Sequence, residues 1–235
     1  MWQALHEEIE PLGVTVVTVA LDIDPRKSRP WIERAAPAHP SLVDAEHRVD
    51  ELFGISNVPM AVWIDETGIL VRPPETATIR PNPYTAIEVT DQMPERVQQV
   101  LNELQNLPDT GEAYRAAILD WARRGADSPF ALEPDAVIAA SRPRPVDHSR
   151  AAACFELGRH AHHRGDDDAA IRWWKQAHAL FPENWTYKRQ AWTLSSTPEG
   201  ADSDKAQEVQ DVYGTSWGDE FLAVGGAGYT VTPDL

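Results

Sequence analysis

One cysteine, Cys154, stands in the whole chain. Dithiol chemistry needs two thiols within reach of each other, so these residues cannot form an intrachain disulfide, a CxxC centre or a cysteine zinc cluster. Cys154 sits among Ala151, Ala152, Ala153, Phe155 and Leu157. In such surroundings a thiol acts as a small hydrophobe rather than as a nucleophile. The other cluster with chemical potential is His160, His162 and His163, followed by Asp166, Asp167 and Asp168. Imidazole and carboxylate are metal ligands. The i, i+4 pairing that puts two histidines on one helix face is absent, however, and a solvated helix end is the expectation. No GxSxG elbow, phosphate loop or dinucleotide fingerprint occurs, and the 37 carboxylates are spread too widely to name an acid–base pair. The residues therefore name no catalytic group, no cofactor and no metal ligand.

Charge narrows the partners. Twenty-one basic residues against 37 acidic ones leave a net charge of −16. That charge repels the phosphates of nucleic acid and of anionic membranes, and neither is expected as a partner. No apolar run approaches the ~20 residues of a membrane helix. Residues 1–8 have neither the basic start nor the apolar block of a signal peptide. The chain as it stands reads as cytoplasmic; a start lost upstream that carried a signal would make it extracytoplasmic.

The elements that would position any site are legible in outline. Trp2, Leu5, Ile9 and Leu12 recur at helical spacing, and Gly13 falls at the C-cap. Residues 14–21 form a β-branched run expected to be a strand buried on both faces. An irregular stretch over residues 22–30 leads to a short helix over 31–35, and residues 47–53 read as another, ended by Gly54. Strands are expected over 60–64 and 69–72, joined by a tight turn at Asp65-Glu66-Thr67-Gly68. Residues 73–92 read as an ordered loop or a short edge strand. Pro94 opens a helix striped by Val97, Val100, Leu101 and Leu104, and a second helix carries Tyr114, Ile118 and Trp121 on one face. Ser141-Arg142-Pro143-Arg144-Pro145 marks a linker.

Some of these residues carry a family resemblance. Ser41-Leu42-Val43-Asp44, Val49, Phe53-Gly54-Ile55, Val58-Pro59 and Trp63-Ile64-Asp65-Glu66-Thr67-Gly68 follow a pattern "D…v…fgv…vP…iD..G.iv". It resembles the TlpA/ResA and peroxiredoxin-related branch of the thioredoxin-like superfamily, over residues 1–107. The resemblance implies an α/β thioredoxin-like segment and thiol–disulfide oxidoreductase descent. It also implies a cis Val58–Pro59 bond, with Val58 and Pro59 forming one wall of a substrate-peptide groove.

The departure from that family matters as much. Its CxxC precedes the helix matching residues 2–12, on a strand lying between those matching residues 14–21 and 60–64. Without that strand, two rows of backbone groups lose their partners, at about 1–3 kcal/mol for each buried unsatisfied group. The two flanking strands are expected to close up or to borrow a strand. An incomplete chain follows from the same argument, with Met1 an internal methionine and an upstream UGA selenocysteine codon read as a stop. A degenerate, redox-inert fold is the competing expectation.

Residues 151–184 match one tetratricopeptide repeat, whose period is about 34 residues. Leu157-Gly158, Gly165 in the turn, and Ala170, Trp174, Ala177 and Pro182 occupy its small, aromatic and helix-ending positions. One repeat cannot bury both its faces. The helices over 94–124 and 185–194 are the expected cover, with Trp173, Trp185 and Trp192 as packing residues. The expected organisation is a thioredoxin-like domain over 1–107, a helical tetratricopeptide-like region over 108–200 and an irregular tail over 201–235. Function is expected to be that of a thiol–disulfide oxidoreductase relative, inert in these residues. A non-catalytic module binding a protein or peptide is the alternative, with oligomeric state left open.

Overall fold

The computed structural model describes residues 1–141, 143–195 and 214–235. The first helix, α1, spans Trp2–Ile9 and ends in a 3-10 turn closed by Gly13 at φ 89°. Strand β1, Thr18–Leu21, pairs in parallel with β2, Ser41–Asp44, across helix α2, Pro25–Ala35. Helix α3, Arg48–Phe53, ends at Gly54. The cis Val58–Pro59 bond then leads into β3, Met60–Ile64, which pairs antiparallel with β4, Leu70–Thr76. In the turn between them Gly68 takes φ 84°, and Asp65 Oδ1 accepts from the amides of Thr67 and Ile69, both at 2.9 Å. That is the side-chain-locked turn which Asp and Gly at these positions favour.

Several expectations change here. The strand of residues 14–21 shrinks to β1, which is half-buried, and Val17 before it is about half exposed. β1 and β3 neither close up nor share a strand: the described residues form two separate two-stranded sheets. With β2 as its one strand partner, β1 has no second sheet neighbour to bury it. α2 begins six residues earlier than the expected helix, because Asp24 caps it by accepting from Arg26 N (3.1 Å) and Pro25 supplies a preformed first turn. β4 runs on through Pro73 and Pro74 to Thr76, into the stretch expected to be an ordered loop or a short edge strand.

The helical half is α4 (Glu95–Gln105), α5 (Gly111–Arg124), α6 (Pro134–Ser141), α7 (Val146–His163), α8 (Asp167–Leu180), α9 (Trp185–Ser195) and α10 (Trp217–Tyr229). α7 and α8 form the closest helix pair, turned at Gly165, with Ala170, Trp174 and Ala177 fully buried between them and their neighbours. Trp185 and Trp192 of α9 are fully buried in the same core, and Trp173 packs against it.

The expected break after residue 107 does not divide the core. Leu5, Ile9, Trp63 and Val71 pack with Tyr114, Ala117, Ile118 and Ala122, so α5 completes the sheet half. Trp63 Nε1 donates to the Tyr114 hydroxyl oxygen at 2.9 Å. Conversely Ile23 and Leu104 join the cluster of α7, α8, α9 and α10. Of the expected irregular tail, residues 201–213 lie outside the described residues, while the rest is helix α10 and an extended end. α10 is capped by a reciprocal Ser216–Asp219 box and anchored by fully buried Phe221. No helix among the described residues is long and apolar enough to cross a membrane.

Candidate functional site

Val58 and Pro59 stand where α3's trailing loop enters β3. They line a cavity of about 520 Å³, a volume ordinary for a ligand site. Thr76 and Thr78 continue the same wall, and Leu107 and Pro108 add apolar surface. Tyr84 lines it too, and Arg189, Trp217 and Tyr229 join it from far along the chain. Arg189 Nη2 donates to the Tyr229 hydroxyl at 2.7 Å, which holds the guanidinium at the aromatic side. Burial pushes the Tyr84 phenol up, aided by Tyr229 and opposed by Arg189, so Tyr84 lines the groove as a neutral hydroxyl near neutral pH.

Two main-chain groups of the Val58–Pro59 segment are engaged within the fold. Val58 N donates to Asn57 Oδ1 at 2.8 Å, and Pro59 O accepts from Ala77 N at 3.0 Å. Asn57 in turn donates from Nδ2 to Tyr229 O at 2.8 Å, fastening α10's end to this wall. The cavity also offers an occupant side-chain surface: Val58 is about half exposed, and proline rings and three aromatic side chains line the same cavity. Apolar pockets rimmed by aromatic, hydroxyl and guanidinium groups suit extended polypeptide rich in apolar residues.

Thr230 also lines the cavity, and the segment that follows it pairs with β4. Thr76 N donates to Val231 O at 2.8 Å, and Val231 N to Thr76 Oγ1 at 3.0 Å. Arg72, fully buried and paired with Glu75 at 2.8 Å, donates to Asp234 O at 2.9 Å. Sequence reasoning singled out Val58 and Pro59 but missed the rest of the lining. Tyr84 lay in a weakly patterned stretch, and Trp217 and Tyr229 in a segment with no assigned role. A signal for this segment lay in Gly226, whose N donates to Glu103 Oε1 at 2.9 Å and where an added Cβ would stand 2.8 Å from Leu107 Cδ2.

The other sequence candidates lie elsewhere. Cys154 is buried in the helical core, and burial pushes its thiol up, away from the reactive thiolate. His162 Nδ1 lies 3.2 Å from Asp167 Oδ1 at the exposed turn between α7 and α8. His162 and His163 rings stand 6.2 Å apart by centroid, tilted rather than convergent. No protein-family model, curated protein or solved structure matches this chain.

Proposed function

We propose that this chain is a thioredoxin-like protein of the thiol–disulfide oxidoreductase type, redox-inert in these residues, which binds an extended protein or peptide segment in the groove over Val58 and Pro59. The observation that carries the proposal is the groove itself. The two residues that the resemblance singles out line a cavity shared with Tyr84, with Arg189 of α9 and with Trp217 and Tyr229 of α10. A wall of Val58, Pro59 and Leu107 offers apolar burial worth roughly 25 cal/mol per Å² removed from water. Arg189 offers a charged donor for a carbonyl or carboxylate. The tetratricopeptide-like hairpin α7–α8 packs on α9 and so supports the helix that carries Arg189.

A paired experiment tests it. Thiol-dependent insulin reduction by the chain should not exceed the rate with dithiothreitol alone. A fluorescent array of extended ten-residue peptides should contain apolar sequences that bind the wild type. Val58→Arg, which places a charged chain on the exposed wall, should weaken them about tenfold or more while the circular dichroism stays the same. Insulin reduction above background would sink the redox-inert part. Binding unaffected by Val58→Arg would remove the groove from the account.

A further inference from the structure

If the groove over Val58 and Pro59 holds an extended segment, as proposed above, its lining narrows the chemistry of that segment. Three prolines, Pro59, Pro83 and Pro108, and three aromatic residues, Tyr84, Trp217 and Tyr229, line the cavity. All three prolines are exposed, and so is Tyr84. Proline rings lose no rotamer freedom when they are covered, and tyrosine and tryptophan supply rigid, amphipathic contact surface.

The main chain around the groove is poorly suited to strand addition. The amides of Val58, Thr76, Tyr84 and Thr230 are spent inside the fold, on Asn57 Oδ1, Val231 O, Asn82 Oδ1 and Gly226 O. Pro59, Pro83 and Pro108 have no N–H to give. These seven residues therefore offer a partner strand no main-chain donor, although strand addition draws its affinity from such bonds.

Two charged residues line the cavity, Asp109 and Arg189. Arg189 is half-buried and donates to the Tyr229 hydroxyl at 2.7 Å. Asp109 is exposed, and its one hydrogen bond among the described residues, from Gly111 N, is long at 3.5 Å. The whole chain carries a net charge of −16. An occupant with a cation thus gains at Asp109 and in the field of the whole molecule.

We propose that the occupant is a proline-rich segment of a partner protein in the polyproline II conformation, with a lysine or arginine flanking its prolines. Polyproline II has no internal hydrogen bonds and keeps its backbone in water, so it needs none of the donors that the groove withholds. Its prolines bring no N–H groups that would be left unpaired. It is extended before it binds, so less ordering entropy is lost, and aromatic-lined grooves are where such segments dock.

The test uses the full chain and three fluorescent ten-residue peptides, read by anisotropy. The first carries an arginine beside alternating prolines and leucines, the second has alanine for every proline, and the third has glutamate for the arginine. The first should bind at least about tenfold more tightly than the second and about threefold more tightly than the third. Tyr84→Ala should weaken the first about fivefold and the second little, and Asp109→Asn should erase the preference for arginine, both with unchanged circular dichroism. Equal affinity for the first two peptides, each still weakened by Val58→Arg, would overturn the proline-rich occupant and leave the groove in place. Binding insensitive to Val58→Arg would remove both. A dimer in sedimentation velocity that Val58→Arg splits would seat a second copy of the chain there and overturn the proposal as well. If Tyr84→Ala does not fold, the three peptides on the wild type decide.

Discussion

Gly158 to alanine sets two physical effects against each other. Inside an exposed helix, replacing glycine by alanine stabilises by about 0.5–1 kcal/mol through reduced backbone entropy. Gly158, however, lies on the face of α7 that meets α8. A Cβ built there stands 2.5 Å from Trp174 Cδ1 and still closer to Nε1, where real Cβ contacts do not fall below 3.0 Å. Trp174 is 1% exposed and enclosed by the helical core, so it has no solvent-side rotamer to retreat to. Overpacking of this kind costs about 1–3 kcal/mol, and a wall this rigid belongs in the upper half. The net is a loss of about 1–2 kcal/mol. For a chain of this length that corresponds to a fall of about 2–8 °C in Tm. Thermal melts followed by circular dichroism read it directly. Gly158→Ala in a Trp174→Phe background, where the ring is smaller, should cost clearly less, and the double-mutant cycle isolates the contact. An unchanged or raised Tm for Gly158→Ala alone would mean that the helices do not approach as described.

Acid stability depends on Glu220, which lies 3.0 Å from His178 and 3.3 Å from buried Lys188. Burial alone would raise its carboxyl, but hydrogen bonds from His178 and Thr215 and the charges of His178 and Lys188 outweigh it and hold it at about 2, against an ordinary 4.5. A folded value below the unfolded one gives stability that is full above pH 4.5 and lost as pH falls toward 2. Glu220→Gln should lower the urea midpoint near neutrality and flatten its decline across that acid window; an unchanged slope would refute the assignment. Cys154 should resist iodoacetamide in the folded chain and react readily in denaturing urea, with mass spectrometry as the readout. Rapid labelling of the native chain would contradict its burial.

What the sequence made legible was local. Gly158, Gly165, Ala170 and Trp174 lie within 17 positions of one another, and their small-and-large pattern states the α7–α8 hairpin without help from the rest of the chain. Asp65 and Gly68 specify their turn for the same reason. β2 escaped because Ser41–Asp44 is four half-polar residues whose strand conformation depends on β1. Burial of Arg72, Asp50 and Lys188 was invisible, because each is satisfied by a partner that only the folded chain supplies: Asp234 O, Thr186 and Glu220. Val58 and Pro59 were visible as a motif, but the aromatic residues that share their cavity come from positions with no periodicity linking them to it. The His47–Asp50 pair sat at a helix start that read as ordinary, and only its burial and backbone angle set it apart.

The bond between Thr76 and Val231 joins residues 155 positions apart. Contacts of such separation are entropically slow to form. During synthesis β4 emerges long before Val231 and Asp234 exist, so Arg72 and the end of β4 must wait with their final partners still unmade. The α7–α8 hairpin, built from neighbours, has no such delay. The end of β4 is therefore completed late although it is made early, and a nascent chain stalled before Arg189 would expose Val58 and Pro59 without the Arg189, Trp217 and Tyr229 side chains that share their cavity.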